Sequence, residues 1–208
     1  MEIERLRSAR VAVAGCGGIG GFVVEYLLRQ GVGALRVADG DVFDESNLNR
    51  QLYSSPASLG EKKVFEAERR ARLLRPDMSF EAIDAFLDDE NAGAFVSGCD
   101  LAIDALDNPD ARICLARACA REDVPLIHGA ISGWALQLAV ISPGSGDIER
   151  IYSSGADKTD SSLSFVPPLC AALEAAEAVK LLCCPERALA GRLLCVDILE
   201  NTQMIIEL

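Results

Sequence analysis

The stretch Val11-Ala12-Val13-Ala14-Gly15-Cys16-Gly17-Gly18-Ile19-Gly20-Gly21 constrains the chain more than any other, because an apolar strand runs there into a glycine turn. Gly15, Gly17 and Gly20 keep the G-x-G-x-x-G spacing, where missing side chains permit a tight turn, close approach of a phosphate and close helix–strand packing. Free N–H groups at the start of the following helix then face an anion. Asp39 ends the next apolar run, about 20 residues further on, where an acidic side chain can accept hydrogen bonds from a ribose hydroxyl. A glycine turn also arises for packing alone, but Asp39 in register favours an adenine nucleotide.

The remaining pattern extends that unit. Arg10 to Ala14 reads as a strand, Ile19 to Gln30 as a helix ended by Gly31, and Ala34 to Asp39 as the second strand. Leu59 to Arg75 places Val64, Ala67, Ala71 and Leu74 on one helical face before Pro76 stops it, whereas Asp44 to Ser58 has no clean period. Further on come a strand at Ser79 to Ile83, a helix at Asp88 to Val96 and an apolar strand at Leu101 to Ile103. A helix opening at Asp107-Asn108-Pro109 runs to about Arg121, and strands at Pro125 to His128 and Ala135 to Ile141 follow it. Val166-Pro167-Pro168 leads into a helix at Leu169 to Cys183, and Leu193 to Ile198 with Thr202 to Ile206 form a C-terminal β-hairpin. The alternation predicts a Rossmann-like α/β fold with a largely parallel sheet covered by helices on both faces.

A chain of 208 residues suits a single domain with one core. The stretch Ser142 to Leu163, rich in Gly, Ser and Asp, is too long for a plain connection and reads as a crossover loop. The net charge of -12 opposes non-specific binding to nucleic acid or an anionic membrane. No apolar run is long enough to span a bilayer and the N-terminus lacks a signal peptide, so a soluble cytoplasmic protein is expected. The eight cysteines never fall in C-x-x-C spacing, so neither structural zinc nor a disulfide framework is expected. Cys16 and Cys170 read as packing, although each lies near a helix start, and the lone histidine, His128, reads as a hydrogen-bonded structural group. Trp134 either lines a channel or packs beneath the loop.

Loops after parallel strands leave one sheet edge together, which gathers Arg50 and Asp107 near the glycine turn. Arg50 and Lys63 suit the β- and γ-phosphates, Asp107 a Mg²⁺ ion and Asp39 the ribose of a metal–triphosphate. As plain structure, Arg50 and Lys63 are solvated charges, and either Asp107 or Asn108 caps the helix that begins at Pro109.

These residues resemble those of the ubiquitin-activating (E1-like) adenylating enzymes of the ThiF/MoeB/HesA family, the bacterial branch serving thiamine and molybdopterin synthesis. The resemblance lies in Gly15 to Gly20, Asp39-Gly40-Asp41, the S-N-L-N-R-Q run from Ser46 to Gln51, Leu59 to Lys63, Asp107-Asn108, and Pro168-Leu169 before Glu174 to Leu181. It implies that Gly18, Asp39, Asp41, Ser46, Asn47, Arg50, Gln51, Lys63, Asp107 and Asn108 serve ATP or its metal, with Arg50, Lys63 and Asp107 carrying the chemistry. It further implies activation of the C-terminal carboxylate of a small β-grasp carrier protein ending in Gly-Gly, a separate persulfide sulfur donor, and a homodimer. Family members bear an N-terminal basic helix that reaches the neighbouring subunit, for which Arg5 or Arg7 would substitute. Other readings are a tRNA threonylcarbamoyladenosine dehydratase-like member, an NAD-dependent oxidoreductase, and a degenerate member kept for dimerisation. The first sits poorly with the acidity, and the others leave Arg50, Lys63 and Asp107 without roles.

Overall fold

Arg10–Ala14 forms β1, and every residue after Arg10 is buried because strands flank it on both sides and helices cover both faces. The computed structural model describes residues 2–153 and 163–208. β1 pairs in parallel with β2 (Ala34–Ala38) and β4 (Leu101–Asp104). β2 continues to β3 (Ser79–Ile83), and β4 to β5 (Leu126–Ser132), again in parallel. β6 (Ala135–Ile141), β7 (Arg192–Asp197) and β8 (Thr202–Glu207) then add antiparallel, giving the order β3-β2-β1-β4-β5-β6-β7-β8. The expected parallel body and C-terminal hairpin are both present.

Alternation along β1 sends Val11 and Val13 to one face and Ala12 and Ala14 to the other. The first face carries α2 (Gly20–Gln30), α3 (Lys63–Leu74) and α7 (Val166–Cys183), the second α4 (Ala92–Val96) and α5 (Pro109–Glu122). The chain builds β2 and β3 on one side of β1 before crossing to β4 on the other. A crevice therefore opens at the carboxyl ends of β1 and β4, where such sheets bind ligands.

Several boundaries differ from the sequence expectation for local reasons. The helix expected from Leu59 begins at Lys63, since Gly60 turns the chain at φ +83 and Lys62 is still extended. The helix expected from Asp88 starts at Ala92 because Asp88 Oδ1 accepts the Glu90 and Asn91 amides and holds a turn there. α7 starts at Val166, three residues before expectation, because prolines in a first helical turn have no N–H to lose. Two short helices went unforeseen: α1 (Glu2–Ser8), and α6 (Asp147–Tyr152) inside the stretch taken for loop. Arg5 Nη1 donates to Cys183 O at 2.9 Å, so α1 caps the carbonyl end of α7 within its own chain. Residues 154–162 of the expected crossover loop lie outside the described residues. No helix among the described residues is long and apolar enough to cross a membrane. None of the eight cysteines forms a disulfide, and Cys16 and Cys170 are core residues whose thiols burial pushes up.

Candidate nucleotide site

The glycine turn is shaped by what it touches. Gly15 adopts φ +92 and lies against Ala105, whose carbonyl oxygen would stand 2.6 Å from a Cβ. At Gly20 a Cβ would come 2.0 Å from Gly15 O, so only glycine lets α2 begin this close to β1. Gly18 differs: its nearest neighbours would be Pro167 atoms at 3.6 Å, an ordinary contact. No protein atom requires glycine at that position, but it lines the cavity, where a Cβ would occupy the space of a closely approaching ligand. Gly18→Ala is therefore expected to melt within a few degrees of the parent while losing ATP affinity, and Gly20→Ala to lose thermal stability outright; thermal denaturation and calorimetry read the two.

Asp39, just past the end of β2, fastens this turn to its neighbour. Its Oδ2 accepts the Cys16 amide at 2.7 Å and its Oδ1 the Asp41 amide at 2.8 Å. Each oxygen keeps a lone pair for a further donor. Lys63 at the start of α3 is 6% exposed, and its Nζ meets Asp41 Oδ2 at 2.9 Å. That pairing holds the ammonium at the cavity wall and leaves it two further protons to donate.

The S-N-L-N-R-Q run divides by position. Asp44 caps the 3-10 turn Glu45–Asn47, its Oδ1 accepting the Ser46 amide while Asn47 Oδ1 accepts the Asp44 amide. Ser46 and Asn47 thus build the turn and do not line the cavity, and Gly20 likewise lies outside its wall. Arg50 and Gln51, which that turn projects, do line it. Arg50 Nη1 is steadied by Ser46 O at 2.6 Å and Asn49 Oδ1 at 2.9 Å. Gln51 Oε1 is buried with no hydrogen-bond partner among the described residues, an acceptor whose desolvation costs about 1–3 kcal/mol until a donor reaches it.

Beyond β4, Asn108 Oδ1 accepts the Ala111 amide at 3.0 Å and is the cap of α5. This frees Asp107, which is exposed, lines the cavity and has no hydrogen-bond or ion-pair partner among the described residues. No three metal-ligating side chains cluster among the described residues. A single free carboxylate facing a phosphate-sized space nevertheless fits Mg²⁺, which takes one or two carboxylates and completes its shell with waters and phosphates.

The cavity measures about 1140 Å³. It runs from Gly15, Gly17, Gly18, Asp39, Asp41, Arg50, Gln51 and Lys63, past Asp107 and Asn108, to Arg112, Gln137 and Tyr152. That last group escaped the sequence reading, as did Phe86, which lines the cavity and packs on Gly40 so closely that a Cβ there would meet its ring at 2.7 Å. His128 is structural as expected: it is fully buried, and its Nδ1 bonds Asp104 Oδ2 at 2.8 Å. Trp134 packs on Phe165 with ring centroids 5.3 Å apart and lies outside the cavity wall.

Known proteins share both sequence and fold with this chain. It is 36% identical over 205 residues to the SAMP-activating enzyme E1 of Haloferax volcanii, covering 95% of this chain and 76% of that protein. With the sulfur carrier protein adenylyltransferase of Thermus thermophilus it shares 33% over 216 residues, covering 95% and 78%. With the molybdopterin-synthase adenylyltransferase of Escherichia coli the figures are 31% over 202 residues, covering 93% and 81%. The fold superposes on E. coli MccB crystallised with ATP at TM-score 0.83 and 22% identity, covering 99% of this chain and 65% of that one. PaaA gives TM-score 0.84 at 20% identity, covering 99% and 66%, so the chain spans just under two thirds of either structure. The ThiF family pattern matches residues 1–208 from end to end, and the chain belongs to the ThiF family.

Proposed function

We propose that this chain is an ATP-dependent adenylyltransferase that activates the C-terminal carboxylate of a small β-grasp sulfur-carrier protein ending in Gly-Gly. The observation that carries the reading is the convergence of the glycine turn, Arg50, Lys63 and Asp107 on one cavity. The glycine turn with Arg50 and Lys63 would hold the triphosphate, and Asp39 would accept from the ribose hydroxyls. Asp107 would hold Mg²⁺, which would supply positive charge against the phosphates.

The chemistry needs no catalytic base. A terminal carboxylate with a pKa of about 3.5 is ionised at neutral pH and attacks the α-phosphorus directly. The new bond joins a carboxylate oxygen to phosphorus as the bond to the pyrophosphate oxygen breaks, giving the acyl-adenylate and pyrophosphate. Negative charge grows on the departing group, so Lys63 and Arg50 bind it more strongly in the transition state than in the ground state. Lys63 can keep its contact with Asp41 and turn its two remaining protons to phosphate oxygens as the nucleotide enters.

The enzyme stops at the acyl-adenylate, with sulfur delivered by a separate persulfide donor: burial pushes up the thiols of the core residues Cys16 and Cys170 and also that of Cys195, which lines the cavity. It works as a homodimer in the cytoplasm. Arg5 is engaged on α7, so Arg7, exposed on α1, is the arginine to reach a neighbouring site.

Calorimetry with ATP and Mg²⁺ tests the nucleotide assignment. Binding of ATP with Mg²⁺ and none of NAD is expected; NAD affinity without a response to ATP would overturn it. Mass spectrometry of a mixture of enzyme, ATP and carrier without sulfur should find carrier-AMP, and a reductant-sensitive enzyme–carrier adduct would contradict a halt at the adenylate.

A further inference from the structure

Beneath the far end of the cavity lies a polar cluster that the proposed chemistry does not use. Asp104 and His128 are both 0% exposed, and His128 Nδ1 meets Asp104 Oδ2 at 2.8 Å. Burial alone pushes the Asp104 carboxyl up, but the Arg112 charge and the His128 bond outweigh it and hold it below the usual range. Burial keeps the imidazole neutral. Arg112 Nη1 stands 3.1 Å from the same Nδ1 but donates to Gly129 O at 2.9 Å, and the nearer, ionised carboxylate only accepts, so the His128 proton sits on Nδ1 and its Nε2 has one lone pair to offer.

Two groups face that lone pair. Gln137 Nε2 from β6 stands 3.2 Å away and Tyr152 Oη from α6 stands 3.4 Å away. Gln137, the nearer, is an amide nitrogen that can only donate. That nearer donor takes the single lone pair, so the hydroxyl proton of Tyr152 has no acceptor left among the described residues. The ring carrying it is fixed, edge-on to His128 at 5.6 Å and 80°, with the Arg112 guanidinium carbon 5.7 Å from its centroid.

The position of that proton narrows its use. The phosphate-directed groups come from the β1 and β2 ends, Asp107 follows β4, and Tyr152 lines the cavity with Ala130, Ser132, Gln137 and Gln203 of the antiparallel half. An extended chain bringing its carboxylate to the α-phosphate from that side passes the hydroxyl. We propose that Tyr152 is a substrate-binding residue, its hydroxyl donating to a carbonyl or carboxylate oxygen in the terminal residues of the incoming carrier. This rests on the carrier-activating reading above.

Tyr152→Phe removes only the hydroxyl and keeps both ring contacts. The probe is a β-grasp protein ending in Gly-Gly, chosen as one that supports ATP–pyrophosphate exchange with the parent enzyme. In the variant its KM should rise about tenfold, the loss of one hydrogen bond to a substrate oxygen. ATP affinity by calorimetry, kcat at saturating carrier and melting temperature should stay as in the parent. A carrier truncated by its final Gly-Gly should compete equally with parent and variant. An unchanged carrier KM with exchange intact would overturn the Tyr152 assignment alone, as would an equal loss of ATP affinity. Absence of exchange with every such carrier in the parent enzyme would overturn the proposed function, and this assignment with it.

Discussion

Asp107→Ala should lower ATP–pyrophosphate exchange by about 10³-fold, roughly 4 kcal/mol of transition-state stabilisation, while weakening ATP binding far less. Nothing in the folded chain depends on this carboxylate: it has no partner among the described residues, and Asn108 caps α5. Its removal therefore leaves stability near that of the parent. The charge it would control is modest when ATP merely sits in the cavity and grows as pyrophosphate departs, so the loss falls on the chemical step. ATP affinity measured without Mg²⁺ should scarcely change, or should rise as repulsion between carboxylate and phosphates disappears. Asp107→Asn separates the roles further, keeping size and polarity without charge. Equal losses in ATP affinity and exchange would show instead that Asp107 acts in ground-state binding.

That prediction was legible in sequence because Asp107 sits in a motif, just past a strand end and two residues before the proline that marks the helix start. The parallel body was legible for a similar reason: the buried strands carry apolar runs such as Val11 to Ala14 and Leu101 to Ile103, and α2 and α3 carry a strong helical period. α1 and α6 have seven and six residues, too short to show a period, and tertiary contacts decide them. The S-N-L-N-R-Q run divides in a way sequence does not show. Its six polar-rich residues look alike, yet the capping box ties the exposed Ser46 and the buried Asn47 into the turn, and of the run only Arg50 and Gln51 line the cavity. Least visible was the cluster around His128, whose members come from β4, α5, β5, β6 and α6. Only the strand order brings Asp104, Arg112, His128, Gln137 and Tyr152 together.

Glu174 should impose a falling limb on the stability of the chain between mildly acidic and alkaline pH, and Glu174→Gln should abolish it. The residue lies on α7, 0% exposed, with neither carboxylate oxygen hydrogen-bonded among the described residues. Its Oε1 presses on β5 at Gly129, where a Cβ would stand 2.4 Å away, so this carboxyl occupies the space a side chain on the strand would need. Burial drives its pKa well above the usual range, Asp104 drives it further in the same direction, and Arg112 offsets them in part. The folded chain therefore keeps a proton that the unfolded chain releases above about pH 4.3. Between those two values the folded state binds more protons, so its stability declines as pH rises, by up to about 1.4 kcal/mol per pH unit for this one group, and levels off above the folded value. An amide of the same shape is neutral throughout. Urea denaturation of parent and Glu174→Gln should give similar stabilities near pH 5 and a gap in favour of the variant that widens toward pH 8. Other titrating groups cancel in that difference, so curves that stay parallel across the range would mean that Glu174 is ionised in the fold, with a cation or water holding it.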